Sequence, residues 1–216
     1  MVLTRHFIPA LILFCLLAPL RAGEPQTWIN TSVSQRLDYG LEAAFEAEQW
    51  LASDSPVYRH YELTPQLIWH YSPSYDFIVG VESSKTWDAM EEETDENTGL
   101  VAVNIKLPLK RLNLQSRQRF QAGYEDERDV FFFRQRTVAD YDFGWFQGRL
   151  KPFLADEWFF DIRNGFLSEN RAQVGLSYQF NKATRFELYG MRDDQWSSMG
   201  NLNTTPVVGV SVSFGF

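Results

Sequence analysis

The chain is poor in the residues that most intracellular chemistry depends on. Its single cysteine, Cys15, lies in the first two dozen residues, and Phe14 stands before it where a lipid-anchoring signal would place a small residue. Beyond it the chain has no thiol, so disulfides and thiolate catalysis are excluded, and no lipid anchor is expected. Histidine is almost as scarce: only His60 and His70 follow the amino-terminal segment, neither at a zinc-site spacing, so no metal and no cofactor are expected. Basic residues are outnumbered, 20 Lys and Arg against 28 Asp and Glu, for a net charge of -8. That sign gives no long-range attraction to nucleic acid. Long apolar runs are also missing. The stretch from Phe7 to Leu17, broken by Pro9, is shorter than the roughly 20 residues a spanning helix needs.

What is present begins with a secretory signal over residues 1–22: Arg5 and His6, the apolar run, then Ala18-Pro19-Leu20-Arg21-Ala22, with cleavage expected after Ala22. Cleavage removes Arg5 and Arg21 and no acid, taking the charge from -8 to -10. Residues 23–216 then form one domain. The clearest pattern in it is the last one. Val208, Val210, Val212, Phe214 and Phe216 share one parity, while Gly209, Ser211, Ser213 and Gly215 share the other. Period two with one greasy face is a strand. An exported chain ending on an aromatic strand resembles the terminal strand of bacterial outer-membrane barrels, so Val212, Phe214 and Phe216 are expected to be read by the barrel-assembly machinery.

Alternation continues upstream. Leu41, Ala43, Phe45, Ala47 and Leu51 oppose Glu42, Glu46 and Glu48, and Leu63, Leu67, Trp69 and Tyr71 oppose Glu62, Gln66 and His70. Pro65 sits badly in the second of these runs, since proline is confined to edges or bulges. An acidic loop is expected from Asp88 to Thr98, and a charged one from Glu125 to Asp129. About eleven runs can be counted, the first of them weak, joined alternately by short turns and longer polar loops. The expectation is an all-β, antiparallel transmembrane barrel of about 10–12 strands in the outer membrane, surrounded by its lipids. Bacterial barrels have an even strand number, so ten or twelve is expected, with twelve preferred. A soluble sandwich would turn the same alternation inside out.

At Lys151-Pro152-Phe153-Leu154-Ala155-Asp156-Glu157-Trp158-Phe159-Phe160, then Glu169-Asn170-Arg171, then Gly175 to Phe180 and Phe186 to Met191, the sequence resembles the small outer-membrane barrels grouped as domain of unknown function 2490 (DUF2490). The resemblance is strongest over residues 112–216. It implies a barrel in the bacterial outer membrane and supplies no reaction.

With the apolar parity facing lipid, the lumen receives Glu42, Glu46, Glu48, Glu82, Glu157 and Glu187 together with Arg117, Arg119, Arg134, Arg136 and Arg171. Buried charges need partners, so a pairing network that fills the barrel is expected, for a structural or envelope-associated role. Two alternatives stand beside it. One is a narrow channel for small polar or acidic solutes lined by Arg117, Arg119, Arg134 and Arg136. The other is a lipid-modifying enzyme, suggested by His70 and Ser72, a His-x-Ser pair on one strand parity. The Asn and Gly that usually complete that motif are absent, and no catalytic residue is assigned. Glu46 and Glu48, about 7 Å apart on one face, match a glycosidase pair in spacing alone.

Overall fold

In the computed structural model the described residues are 26–52, 59–87, 93–125, 128–197 and 199–216. The residues expected to form a secretory signal, and most of those expected as the loop after Leu51 and as the start of the acidic loop, lie outside them.

Among the described residues eleven strands run in chain order: β1 (Gln26–Arg36), β2 (Leu41–Ala52), β3 (Arg59–Ser72), β4 (Tyr75–Trp87), β5 (Glu93–Leu109), β6 (Leu112–Glu125), β7 (Arg128–Tyr141), β8 (Leu150–Asp161), β9 (Phe166–Gln179), β10 (Thr184–Trp196) and β11 (Leu202–Gly215). Each pairs antiparallel with its chain neighbours, and β1 closes the barrel on β11. That last pair is parallel, from Gln26 opposite Val207 to Ser34 opposite Gly215. The expected all-β barrel of about 10–12 strands is found, and the even strand number preferred from the sequence is corrected to eleven, with one parallel pair. With an odd number of alternating strands the first and last must point the same way, and a parallel ladder still satisfies both edges. The weak first run is a wall strand after all. The start of β1 and the end of β11 consequently lie at opposite ends of the barrel.

Burial follows the alternation inside out. Leu63, Val79, Val81, Val101, Phe120, Leu154 and Leu188 stand on the outer surface, each about half exposed, while Glu82, Arg119, Arg134, Glu157 and Arg171 are buried. A water-soluble sandwich cannot expose the greasy parity and bury the charged one. Strands of 11 to 17 residues also meet or exceed the roughly 9–11 needed to cross a bilayer at a tilt.

Local chemistry explains the joints. Asn181 Oδ1 accepts the amides of Ala183 and Thr184 at 2.7 and 2.9 Å and shapes the β9–β10 turn. The β3–β4 ladder passes from Leu63–Ser83 to Gln66–Gly80 without a pair at Pro65, which has no N–H to give, and Gly80 leaves room for the Pro65 carbonyl. A Cβ there would lie 2.7 Å from that oxygen. Two expected loops give residues to strands: the acidic stretch is strand from Glu93 onward, and within the expected Glu125–Asp129 loop β6 runs to Glu125 and β7 begins at Arg128.

Candidate functional site

The lumen is crossed by a bar of stacked flat groups. His60 of β3 lies on Trp50 of β2 with ring centroids 4.0 Å apart, and Trp50 lies on Trp28 of β1 at 4.2 Å with an interplanar angle of 2°. The Arg171 guanidinium from β9 covers Trp28 at 4.6 Å and the Phe159 ring of β8 at 4.5 Å. On Phe159 also lies the Arg134 guanidinium of β7, at 4.3 Å. Alternating rings and guanidiniums attract through the ring quadrupole, and desolvation strengthens the contact. The bar runs from one wall to the other because its residues take the inward parity of strands on opposite sides.

Carboxylates complete the layer. Glu157 of β8 approaches Arg117, Arg134 and Arg136 at 3.7, 3.4 and 3.9 Å. Glu82 of β4 accepts from Arg119 at 2.9 Å and from the Gln121 amide at 2.8 Å, and lies 3.6 Å from Arg134. Arg134 therefore bridges two carboxylates from different walls. Arg171 contacts Glu169, and Asp193 lies 4.0 Å away. Glu48 receives the Trp50 indole N–H at 2.5 Å and the Asn30 amide at 3.3 Å.

Two cavities flank this layer. One of about 190 Å³, on the side where β11 ends, is lined by Glu46, Arg117, Arg136, Glu187 and Ser213 among others. The other, about 330 Å³, lies toward the opposite end beside His60, Ser84, Glu96, Glu169 and Trp196. Glu62, Arg134 and Arg171 border both.

The expected site residues are thus distributed rather than gathered at one centre. Glu82, Glu157, Arg117, Arg119, Arg134, Arg136 and Arg171 meet in the central layer, with Glu48 beside it. Glu46 lines the smaller cavity. Glu187 pairs with Arg185 at 2.6 Å. Glu42 sits nearer the end where β11 finishes, 3.1 Å from His70 Nε2, whose Nδ1 is 2.9 Å from Asp76. Asp76 also binds Lys106 at 2.5 Å. His70 and Ser72 do not engage one another: a bulge falls between them, and Ser72 Oγ accepts the amides of Ser74 and Tyr75 at 3.3 and 3.1 Å. Among the described residues, no three His, Cys, Asp or Glu side chains gather as a metal site.

Sequence reasoning missed the aromatic half of the layer. Trp28, Trp50, His60, Phe159 and Tyr189 are buried on the inward parity, and so are Gln121, Gln173 and Asp193. A tryptophan at the parity otherwise taken by Glu42, Glu46 and Glu48 was the available signal.

A closed barrel with an apolar exterior and a charged interior is of the outer-membrane class. Within that class, the family profile described as "Protein of unknown function (DUF2490)" matches residues 25–204, and the chain belongs to that family. The match includes the early strands and stops at the start of β11. Among solved structures, LpxR from Salmonella typhimurium is similar with a TM-score of 0.52 and 10% sequence identity, covering 86% of this chain and 87% of that one. At that identity the likeness concerns the fold. No curated protein matches the sequence.

Proposed function

We propose that the protein is a structural or envelope-associated component of the outer membrane whose lumen is closed by packed side chains. The observation that carries this reading is the bar from His60 to Arg134, joined to β4 through Glu82, because it occupies the cross-section an open pore would need. A filled interior is what a barrel of this size accommodates without leaving charges unpaired. Phe216 and its strand then serve assembly. The Phe216 amide donates to the Ser34 carbonyl at 2.9 Å and its carbonyl accepts from Arg36 at 3.0 Å, while the ring stands exposed at the barrel end.

Conductance in planar bilayers tests the reading. Wild-type protein is expected to give no steady openings, and Trp50→Ala with Arg171→Ala, which removes the middle of the bar, is expected to open a conducting path. The arginines around the smaller cavity favour a second reading, a narrow anion channel. Steady wild-type openings whose anion preference is lost in Arg134→Ala would establish that channel and reject the sealed lumen.

A further inference from the structure

The outer surface breaks the apolar rule along two adjacent rungs. On one, Ser116 of β6 faces Thr137 of β7, which faces Asp156 of β8. On the next, Gln118 faces Gln135, Gln135 faces Trp158, and Trp158 faces Asn170 of β9. The flanking rungs are apolar: Phe120, Phe133 and Phe160 on one side, Leu114, Ala139 and Leu154 on the other. On β5 the partners of Ser116 and Gln118 are Ile105 and Val103, so the stripe begins at β6. Along β7 it lies between Phe133 and Tyr141, within the band that lipid chains would cover.

Part of the stripe is satisfied within the chain. The Asp156 carboxylate accepts from the Trp158 indole at 2.5 Å and the Asn170 amide at 2.8 Å. Farther along, Arg192 holds Asp194 at 2.7 Å. The β6–β7 part is different. Gln118 donates to Ser116 at 2.8 Å, but Gln135 is exposed opposite it, directed outward where hydrocarbon offers no hydrogen bond.

We infer that the outer face of β6–β8 is where a second copy of this chain docks, with Gln118 and Gln135 hydrogen-bonded to the same pair across a two-fold axis. A carboxamide both donates and accepts, so a patch built on two of them complements itself, which an isologous interface requires. The charge pattern disfavours an anionic headgroup: β6–β8 presents the Asp156 carboxylate on this stripe, and Arg192, which continues the Asp156 rung through Ala172, is already held by Asp194. Ala139 beside Gln135 and Thr137 lets the backbones come close, as small residues do at membrane interfaces. The Phe120–Phe133 pair, 4.9 Å between centroids, forms a ridge beside it. The inference rests on the barrel lying in the membrane and is independent of the sealed lumen.

The chain has no cysteine after Cys15, so single-cysteine variants report cleanly. Ala139→Cys, which leaves both carboxamides in place, is treated in intact outer membranes with a short bis-maleimide, with Val79→Cys, outward on β4, as the control. The expected result is a covalent band of twice the mass for Ala139→Cys and none for Val79→Cys. Native mass spectrometry should give a dimer for wild type and a monomer for Gln118→Leu with Gln135→Leu, both keeping a heat-dependent gel shift. A monomeric wild type, a missing double-mass band, or an Ala139→Cys cross-link to a different protein or to lipid overturns the interface. The gel shift separates the failures: wild-type protein that shifts but does not dimerise overturns the interface alone, whereas wild-type protein with no shift overturns the membrane barrel with it.

Discussion

Replacing Glu157 by Gln removes one carboxylate from among three guanidiniums while keeping the side chain's shape. The carboxylate is 3% exposed and lies 3.4 to 3.9 Å from Arg134, Arg117 and Arg136. At an effective dielectric of about 20, each contact is worth roughly 4 kcal/mol of attraction before costs. Mutual repulsion of the arginines and their desolvation offset most of that. Stripping one partner from a buried pair costs about 3–5 kcal/mol. Arg134 retains Glu82, and Arg117 and Arg136 keep partial access to solvent, so the lower figure applies, about 3 kcal/mol. Urea unfolding of the barrel in lipid vesicles, followed by tryptophan fluorescence, is expected to show an unchanged slope and a lower midpoint. At a slope of about 2 kcal/mol/M the fall is about 1.5 M. Adding Arg117→Gln should recover part of the loss, because the second change removes an uncompensated charge. A Glu157→Gln variant within about 0.5 kcal/mol of wild type, with no coupling to Arg117, would refute charge pairing as the basis of the central layer.

Three further outcomes are expected. Gly209→Ala places a methyl where the Tyr189 ring already lies, so the folded form should lose about 1–3 kcal/mol in urea unfolding. Adding Tyr189→Ala should then cost less than Tyr189→Ala alone costs in the wild-type chain, because the overlap is gone. Ser72→Ala removes the cap on the Ser74 and Tyr75 amides and should cost about 1 kcal/mol in urea unfolding. Phospholipid or lipid A hydrolysis that disappears with Ser72→Ala at preserved stability would point instead to chemistry at this turn. Phe216→Ala, which keeps the backbone bonds to Ser34 and Arg36, should lower the amount of barrel in the outer membrane severalfold while leaving the unfolding free energy of refolded protein within about 0.5 kcal/mol of wild type, since the exposed ring contributes little packing. Equal losses in both measurements would make it a stability element rather than an assembly signal.

Alternation alone made the wall legible. Val208 to Phe214, Leu41 to Leu51 and their counterparts declare strands because a pleated chain sends neighbours to opposite faces, and the charged parity of Glu82, Glu157, Arg119 and Arg134 declares which side is enclosed once the other side is lipid. Charge pairing was also readable as a need. Its partners were not, since Glu82 and Arg119 are 37 positions apart and meet only through the register of strands that the local pattern does not specify.

Strand number, closure and the aromatic bar belonged to the tertiary structure. Whether the weak stretch from Gln26 to Arg36 joins the wall depends on its ladders to β2 and β11, not on its own hydrophobicity, and admitting it forces an odd count and a parallel seam. Trp28, Trp50, Phe159 and Arg171 come from four strands, and Pro65 is accommodated by Gly80 across a strand boundary. By itself the sequence determined that this chain is a wall with one greasy and one charged face, because that follows from spacing between adjacent residues, while burial of the charged face came with the closed barrel. Only the closed barrel decided what crosses the lumen, because stacking and ion pairing across it depend on distances between residues far apart in the chain.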